Sequence, residues 1–308
     1  MDRASPGAAA PVLDVLDADG ARPPGCRVRA WRPPVPEISE VFHAQIVDYA
    51  YPPHAHDTWT VLILDAGALR YDLDNRHCGV SGTDYVAVLP PGVVHDGRPA
   101  ADAPGFRKRN LYLDPAFLPA SLIGSAVDHT VLRDGPLRRA LAGLHQVLAA
   151  DEDPLNAEAR LAMVRQRLTD HLAAVPSPPA RPEPQAARAL RALLDEHTVE
   201  AVSLAAAARL LGRSVPHLVR SFGQTFGISP HAYIIGRRVE AARKLLLTGI
   251  PPAEVAIAVG FCDQAHLTRH FRRHTATTPA RYSRTRQATH PPRATSQSLR
   301  GDPSPRRL

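Results

Sequence analysis

A repeat near the C-terminal end of the chain constrains the fold more than any other feature. The stretch 206-AAARLLGRSVPHLVRSFGQTFGISP-230 aligns with 254-EVAIAVGFCDQAHLTRHFRRHTATTP-279. From the turn onward the offset is 49, pairing Ser214 with Asp263, Leu218 with Leu267, Arg220 with Arg269, Phe222 with Phe271 and Pro230 with Pro279. Before the turn the offset is 48, pairing Gly212 with Gly260.

Each copy spells a helix-turn-helix. An alanine-rich helix, 204–211 or 252–259, keeps one face small so that a second helix can cross it closely. Glycine admits the positive φ that ends it. Ser214 or Asp263 offers a cap oxygen to the next helix. In that helix Leu218 and Phe222, or Leu267 and Phe271, stand at i and i+4 and turn one face to the core. Ser229-Pro230 and Thr278-Pro279 then supply a cap followed by a helix-starting proline. Between the copies, residues 230–249 read as one helix, about 30 Å long at 1.5 Å per residue.

Charge follows the same division. Residues 186–290 carry 15 Lys and Arg against 6 Asp and Glu, whereas residues 1–185 carry 18 against 23. Only the back part is expected to meet a polyanion. The segment 176-PSPPARPEPQ-185 reads as a semi-extended proline spacer between domains. Residues 287–308 lack apolar periodicity and read as a disordered basic tail. Residues 1–36, rich in Pro, Ala and Gly, read as a loose arm.

From 37 to 114 the texture is different. Short apolar runs at 41–50, 59–64, 68–73, 84–89 and 106–113 are separated by turn signals such as Pro-Pro at 52–53 and Pro-Pro-Gly at 90–92. That spacing predicts an all-β sandwich or barrel. Helical periodicity then returns in 136–150 and 161–175. These two helices are expected to close the barrel or to form a dimer seam. The fold class is thus a two-domain α+β chain, an N-terminal barrel with two trailing helices and a C-terminal all-α double helix-turn-helix domain at 186–286.

The run 52-PPHAHDTWTVLIL-64 places His54 and His56 on alternate positions, and 88-VLPPGVVHDG-97 offers His95. If the first run is a strand, its two imidazoles share a face. Three imidazoles can hold zinc or iron with open positions. They can equally hydrogen-bond an organic ligand at a barrel mouth. Trp59, Tyr71, Tyr85 and Arg109 are further pocket candidates. Cys26, Cys78 and Cys262 are too few and too scattered for a disulfide framework, which predicts a reducing compartment. No apolar run approaches the ~20 residues that span a bilayer. The acids in the first twenty residues argue against a signal peptide. A cytoplasmic protein with no membrane partner is expected.

The stretch 254-EVAIAVGFCDQAHLTRHFRRHTATTPARYSR-284 resembles the signature of the AraC/XylS family of bacterial transcription regulators. Residues 203–246 are similar to that family's first helix-turn-helix and linker helix. One departure is Ala276, where the family usually has glycine. The resemblance implies two recognition helices presented to successive major-groove segments of promoter DNA. Its base-reading positions fall on Pro216, Val219 and Arg220 in the first helix and on Gln264, Ala265, Thr268 and Arg269 in the second. By side-chain chemistry, Arg220 and Arg269 can reach guanine bidentately and Gln264 can pair with adenine. A phosphate clamp or an internal salt bridge is the alternative for the two arginines.

Residues 37–175 resemble the cupin-like sensor domain that such regulators carry upstream. Pro90, Gly92 and His95 match the second cupin motif. The first motif is half present, since no glutamate follows His54 and His56. The expectation is a ligand-controlled regulator, activating in sense, with a small organic effector, RNA polymerase as partner, a homodimer through the barrel domain and no cofactor. A metal-dependent cupin enzyme fused to a DNA-binding module is the alternative, with His54, His56 and His95 as ligands. An architectural DNA binder with a structural barrel is a third reading.

Overall fold

The computed structural model describes residues 26–74, 76–101, 103–150, 154–175, 184–200 and 202–284. The basic tail, most of the proline spacer and residues 1–25 of the expected arm lie outside them. The rest of that arm is not loose. Arg27–Trp31 forms strand β1, paired antiparallel with β2, Ile38–Val47.

Two sheets build the N-terminal domain. Strands β1, β2, β9 (Gly105–Leu113), β4 (Trp59–Gly67), β7 (Val86–Leu89) and β10 (Val131–Leu132) form a six-stranded sheet in that order. Strands β3 (Tyr51–His54), β8 (His95–Pro99), β5 (Leu69–Leu73) and β6 (Arg76–Ser81) form a four-stranded one. Four of the five apolar runs, 41–50, 59–64, 84–89 and 106–113, supply strands of the large sheet, both of whose faces are buried, and 68–73 supplies β5 of the small one. Along β4, Leu62 and Leu64 face the barrel interior, whereas Trp59, Val61 and Ile63 belong to a second core on the other face. Helices α2 (Gly135–Ala150) and α3 (Pro154–Ala173) cover that second face, after the short helix α1 (Ile123–Asp128).

The apolar stripes of α2 and α3 are therefore used within the chain. Leu137, Leu141, Leu144 and Leu148 pack on the sheet, and Leu161, Val164, Leu168 and Leu172 join the same core. The periodicity that suggested a dimer seam is accounted for by this packing. On these two helices the large exposed apolar side chains are Leu155 and Met163.

Several strands were invisible as apolar runs. β3 carries two prolines, and it lies at a sheet edge, where a missing N–H breaks no ladder bond. β8 reads HDGRP, polar and glycine-containing, yet it sits between β3 and β5. Neighbours decide both strands.

The C-terminal domain follows its repeat closely. After α4 (Gln185–Glu196), the first copy is α5 (Leu204–Leu210) and α6 (Val215–Phe226). The central helix α7 spans Pro230–Thr248. The second copy is α8 (Pro252–Ala258) and α9 (Gln264–Thr275), with α10 at Pro279–Arg284. Ser214 accepts from the His217 amide and Asp263 from the His266 amide, as N-caps do. Leu218, Phe222, Leu267 and Phe271 are fully buried. Gly212 and Gly260 take φ of 60° and 89°. Among the described residues, no helix is long and apolar enough to cross a membrane.

The barrel interior and the helical core are continuous. Helix α7 crosses β3 closely at Gly236, where a Cβ would stand 3.6 Å from the Cβ of His54. Arg243 of α7 reaches Glu40 of β2 at 2.7 Å, and Tyr282 of α10 donates to the same carboxylate oxygen. Lys244 pairs with Asp57 at 2.6 Å. Tyr49 donates its hydroxyl to the carbonyl of Arg272 on α9 at 2.8 Å. Every one of these contacts joins the two domains.

Candidate effector site and nucleic-acid interface

The three histidines do converge, although not on one strand face. His54 ends β3 and stands directly across from His95, which opens β8. His56 lies two residues past the strand, in the loop to β4. Its carbonyl accepts the Gly92 amide at 2.7 Å, so the Pro-Pro-Gly turn, with Gly92 at φ +75°, anchors that loop. Ring centroids lie 4.8 Å apart for His54 and His56, 4.5 Å for His54 and His95, and 5.1 Å for His56 and His95. Burial, with the neighbouring rings and cations, holds His54 and His56 well below the usual imidazole pKa and brings His95 to about 4. All three are neutral at physiological pH.

They line a cavity of about 40 Å³ between the two sheets, and Tyr71 joins them there. The other pocket candidates do not. Trp59 is fully buried on the opposite face of β4, where its indole N–H donates to the Pro115 carbonyl at 3.2 Å. Arg109 also faces away, held by Asp65 at 2.6 Å beneath α2. Tyr85 sits in the turn before β7 and does not border the cavity. Side chains alternate along a strand, so the wall of β9 is built by Lys108, Asn110 and Tyr112 instead. Lys108 places its ammonium 4.2 Å from the centre of the Tyr51 ring. Burial, then the charge of Arg243, lowers its pKa to about 7. Among the described residues, no acid lies within ion-pair distance of Lys108.

The remaining wall comes from the helical domain. Arg243, His274 and Thr275 all border the cavity. Burial opposes the charge of Arg243, but Glu40 and the two tyrosines Tyr112 and Tyr282 outweigh it and hold the guanidinium protonated. Its guanidinium carbon lies 4.2 Å from the Tyr112 ring centre. The sequence held no signal for this closure. Arg243 and His274 belong to helix periods that look like any amphipathic face, and only docking brings them to the barrel.

The expected base-reading positions stand on α6 and α9. Pro216, Arg220, Gln264, Ala265 and Arg269 are exposed, and Val219 and Thr268 are half-buried. Among the described residues, neither Arg220 nor Arg269 has an ion-pair partner. No acid of the described residues therefore holds these guanidinium groups in an internal salt bridge. Helix α9 thus exposes Gln264 and Arg269 toward one end and turns His274 and Thr275 to the cavity at the other.

Comparison with known proteins supports both halves. Residues 207–285 match the family described as a helix-turn-helix domain, and residues 38–165 match the AraC-like ligand binding domain. The chain is 33 % identical over 132 residues to the uncharacterized HTH-type transcriptional regulator YbfI of Bacillus subtilis, covering 42 % of this chain and 48 % of YbfI. It is 34 % identical over 84 residues to the probable transcription factor PqrA of Proteus vulgaris, covering 27 % of this chain and 69 % of PqrA. The chain thus spans about half the length of YbfI. A lysine-to-alanine form of apo ToxT from Vibrio cholerae shares the fold at a TM-score of 0.55 and 12 % identity, over 84 % of this chain and 96 % of ToxT. Wild-type ToxT with an unsaturated fatty acid bound aligns at 0.50 and 12 % identity, over 86 % of this chain and 97 % of ToxT. By its two domain matches and its relatives, the chain belongs to the AraC family of transcriptional regulators.

Proposed function

We propose that this protein is a sequence-specific DNA-binding regulator of transcription, non-enzymatic and cytoplasmic, whose grip on its promoter depends on what occupies the barrel cavity. The observation that carries this reading is the position of α9. One helix, about 18 Å long at 1.5 Å per residue, offers Gln264 and Arg269 to solvent and gives His274 and Thr275 to the cavity wall.

Size supplies the coupling. The cavity of about 40 Å³ has room for about three water-sized groups. A drug-sized organic effector fills a pocket of roughly 300–1,000 Å³. Such a molecule needs the cavity to widen, and Arg243, His274 and Thr275 are the part of its wall that α7 and α9 contribute. Binding that displaces this part of the wall shifts α7 and α9 against the barrel, and the differential affinity of the effector for the two arrangements drives the change. ToxT with its unsaturated fatty acid supports the idea that this fold accommodates an organic effector. The activating sense and a contact with RNA polymerase follow from the family resemblance alone. A homodimer through the barrel domain rests on that resemblance too.

The test is binding of the full chain to DNA selected from random sequence, measured across a salt titration. Arg269→Ala is expected to lower affinity about 5- to 150-fold, an effect of ~1–3 kcal/mol, and to relax preference at one base position. Equal loss on every sequence would assign Arg269 to phosphate and remove it from the reading set. No preference in the unmodified chain would sink the proposal.

A further inference from the structure

The three imidazoles share more than proximity. The Nδ1 of His54 lies 2.7 Å from the Pro52 carbonyl, and that of His95 lies 3.2 Å from the Val93 carbonyl. A carbonyl has no proton to give, so both rings carry N–H at Nδ1 and keep a lone pair at Nε2. His56 turns its Nδ1 toward Oε1 of Glu240 on α7, 3.7 Å away. One ring nitrogen from each of the three histidines lies within 4.8 Å of the others. Backbone carbonyls behind converging imidazoles are the supporting partners that fix tautomer and ring orientation around a metal, as they do here for His54 and His95.

We propose that His54, His56 and His95 hold a divalent transition-metal ion of the zinc class through Nε2, with its open position toward Arg243, His274 and Thr275. Imidazole ligands favour zinc, iron, nickel or copper over magnesium and calcium. Three nitrogens at about 2.0–2.1 Å from an ion lie roughly 3.4 Å apart, so the rings draw in by about an ångström on loading. A cavity of about 40 Å³ takes an ion with one small further ligand. The neighbouring cations do not forbid it. Arg243 is paired with Glu40 at 2.7 Å, and Lys108, which lacks an acid partner among the described residues, suits an anionic fourth ligand such as hydroxide or a carboxylate.

This deepens the regulatory reading of the same cavity, and depends on it only for consequence. Because Arg243 of α7 and His274 and Thr275 of α9 border the open position, an ion here ties the barrel to the helical domain.

The experiment uses the full chain stripped with chelator, then dialysed against zinc, with cobalt(II) as a spectroscopic probe. One equivalent per chain is expected, with the intense visible bands of a four-coordinate cobalt site. His56→Ala and His95→Asn, each checked for native circular dichroism, should weaken binding by more than the roughly 10- to 100-fold that loss of a ligand's supporting partner costs. His43→Ala, which removes a buried contact between His43 on β2 and His145 on α2, should leave it unchanged. Failure to retain an equivalent, or retention undiminished in both site variants, overturns the site. Zinc is then added to the DNA-binding assay. A shift in affinity that is absent in His95→Asn supports the coupling, and an unchanged affinity with stoichiometric zinc overturns the coupling alone. Loss of DNA binding in the apo and zinc-loaded chain alike would instead count against the regulator reading and leave the metal result standing.

Discussion

His43 Nε2 and His145 Nδ1 meet at 3.1 Å between β2 and α2, on the sheet face away from the cavity. Burial, and then Arg109 and Arg29, bring His43 to about 3, and burial beside His43 holds His145 well below the usual imidazole value. Both folded-state values lie below the unfolded value of about 6.5. The unfolded chain therefore takes up protons first as pH falls. The stability this pair permits is complete above about pH 6.5 and is lost progressively toward pH 3. Thermal melts from pH 7.5 down to 4 should show a falling midpoint, and His145→Leu should flatten that slope. An identical slope in the variant would remove the pair as its cause. At this scale the histidine trio was legible, because three His residues near strand ends and a Pro-Pro-Gly turn stand out in any sequence. Lys108 was not. It and Arg109 are neighbours on a strand buried on both faces, and with apolar residues at both parities the sequence cannot say which basic side chain points inward.

The turns of the repeat show how one element can need the same backbone for different reasons. Gly212, Gly260 and Ala276 all adopt positive φ. A Cβ at Gly212 would meet nothing within 4 Å, whereas at Gly260 it would stand 2.5 Å from the Val199 carbonyl oxygen and 3.0 Å from the Arg238 guanidinium. Gly212→Ala should thus cost only the left-handed strain, about 1 kcal/mol. Gly260→Ala should cost clearly more, because the backbone carbonyl has to move. Ala276, at φ 59° where it ends α9, carries that strain already. Ala276→Gly should return about 1 kcal/mol. Denaturant midpoints of the three variants check the order, and equal losses at the two glycines would refute the packing argument. Helices, caps and turn glycines were all legible, since each is a local pattern of side chain and backbone. β3 and β8 were not, because prolines, glycine and charge hide strands that exist only through their neighbours.

The whole molecule turns on a buried ion pair 203 residues apart in sequence. Glu40 on β2 and Arg243 on α7 are 5 % and 6 % exposed, and Tyr282 closes the group. Removing one member of such a pair strands the other charge and costs about 3–5 kcal/mol. Glu40→Ala should therefore loosen the barrel from the helical domain and split the calorimetric unfolding of the chain into two transitions. One unshifted transition would show that the domains hold together without this pair.

What the sequence determined alone was everything carried by short-range pattern. It specified two helix-turn-helices with their caps and core pairs, a β-rich front part, a basic back part, and three histidines at strand ends. The tertiary structure decided which face each strand presents, and it brought α7 and α9 onto the barrel mouth. A face or a docking surface is set by pairings across hundreds of residues, and no local periodicity encodes them. The cavity belongs to both domains for that reason.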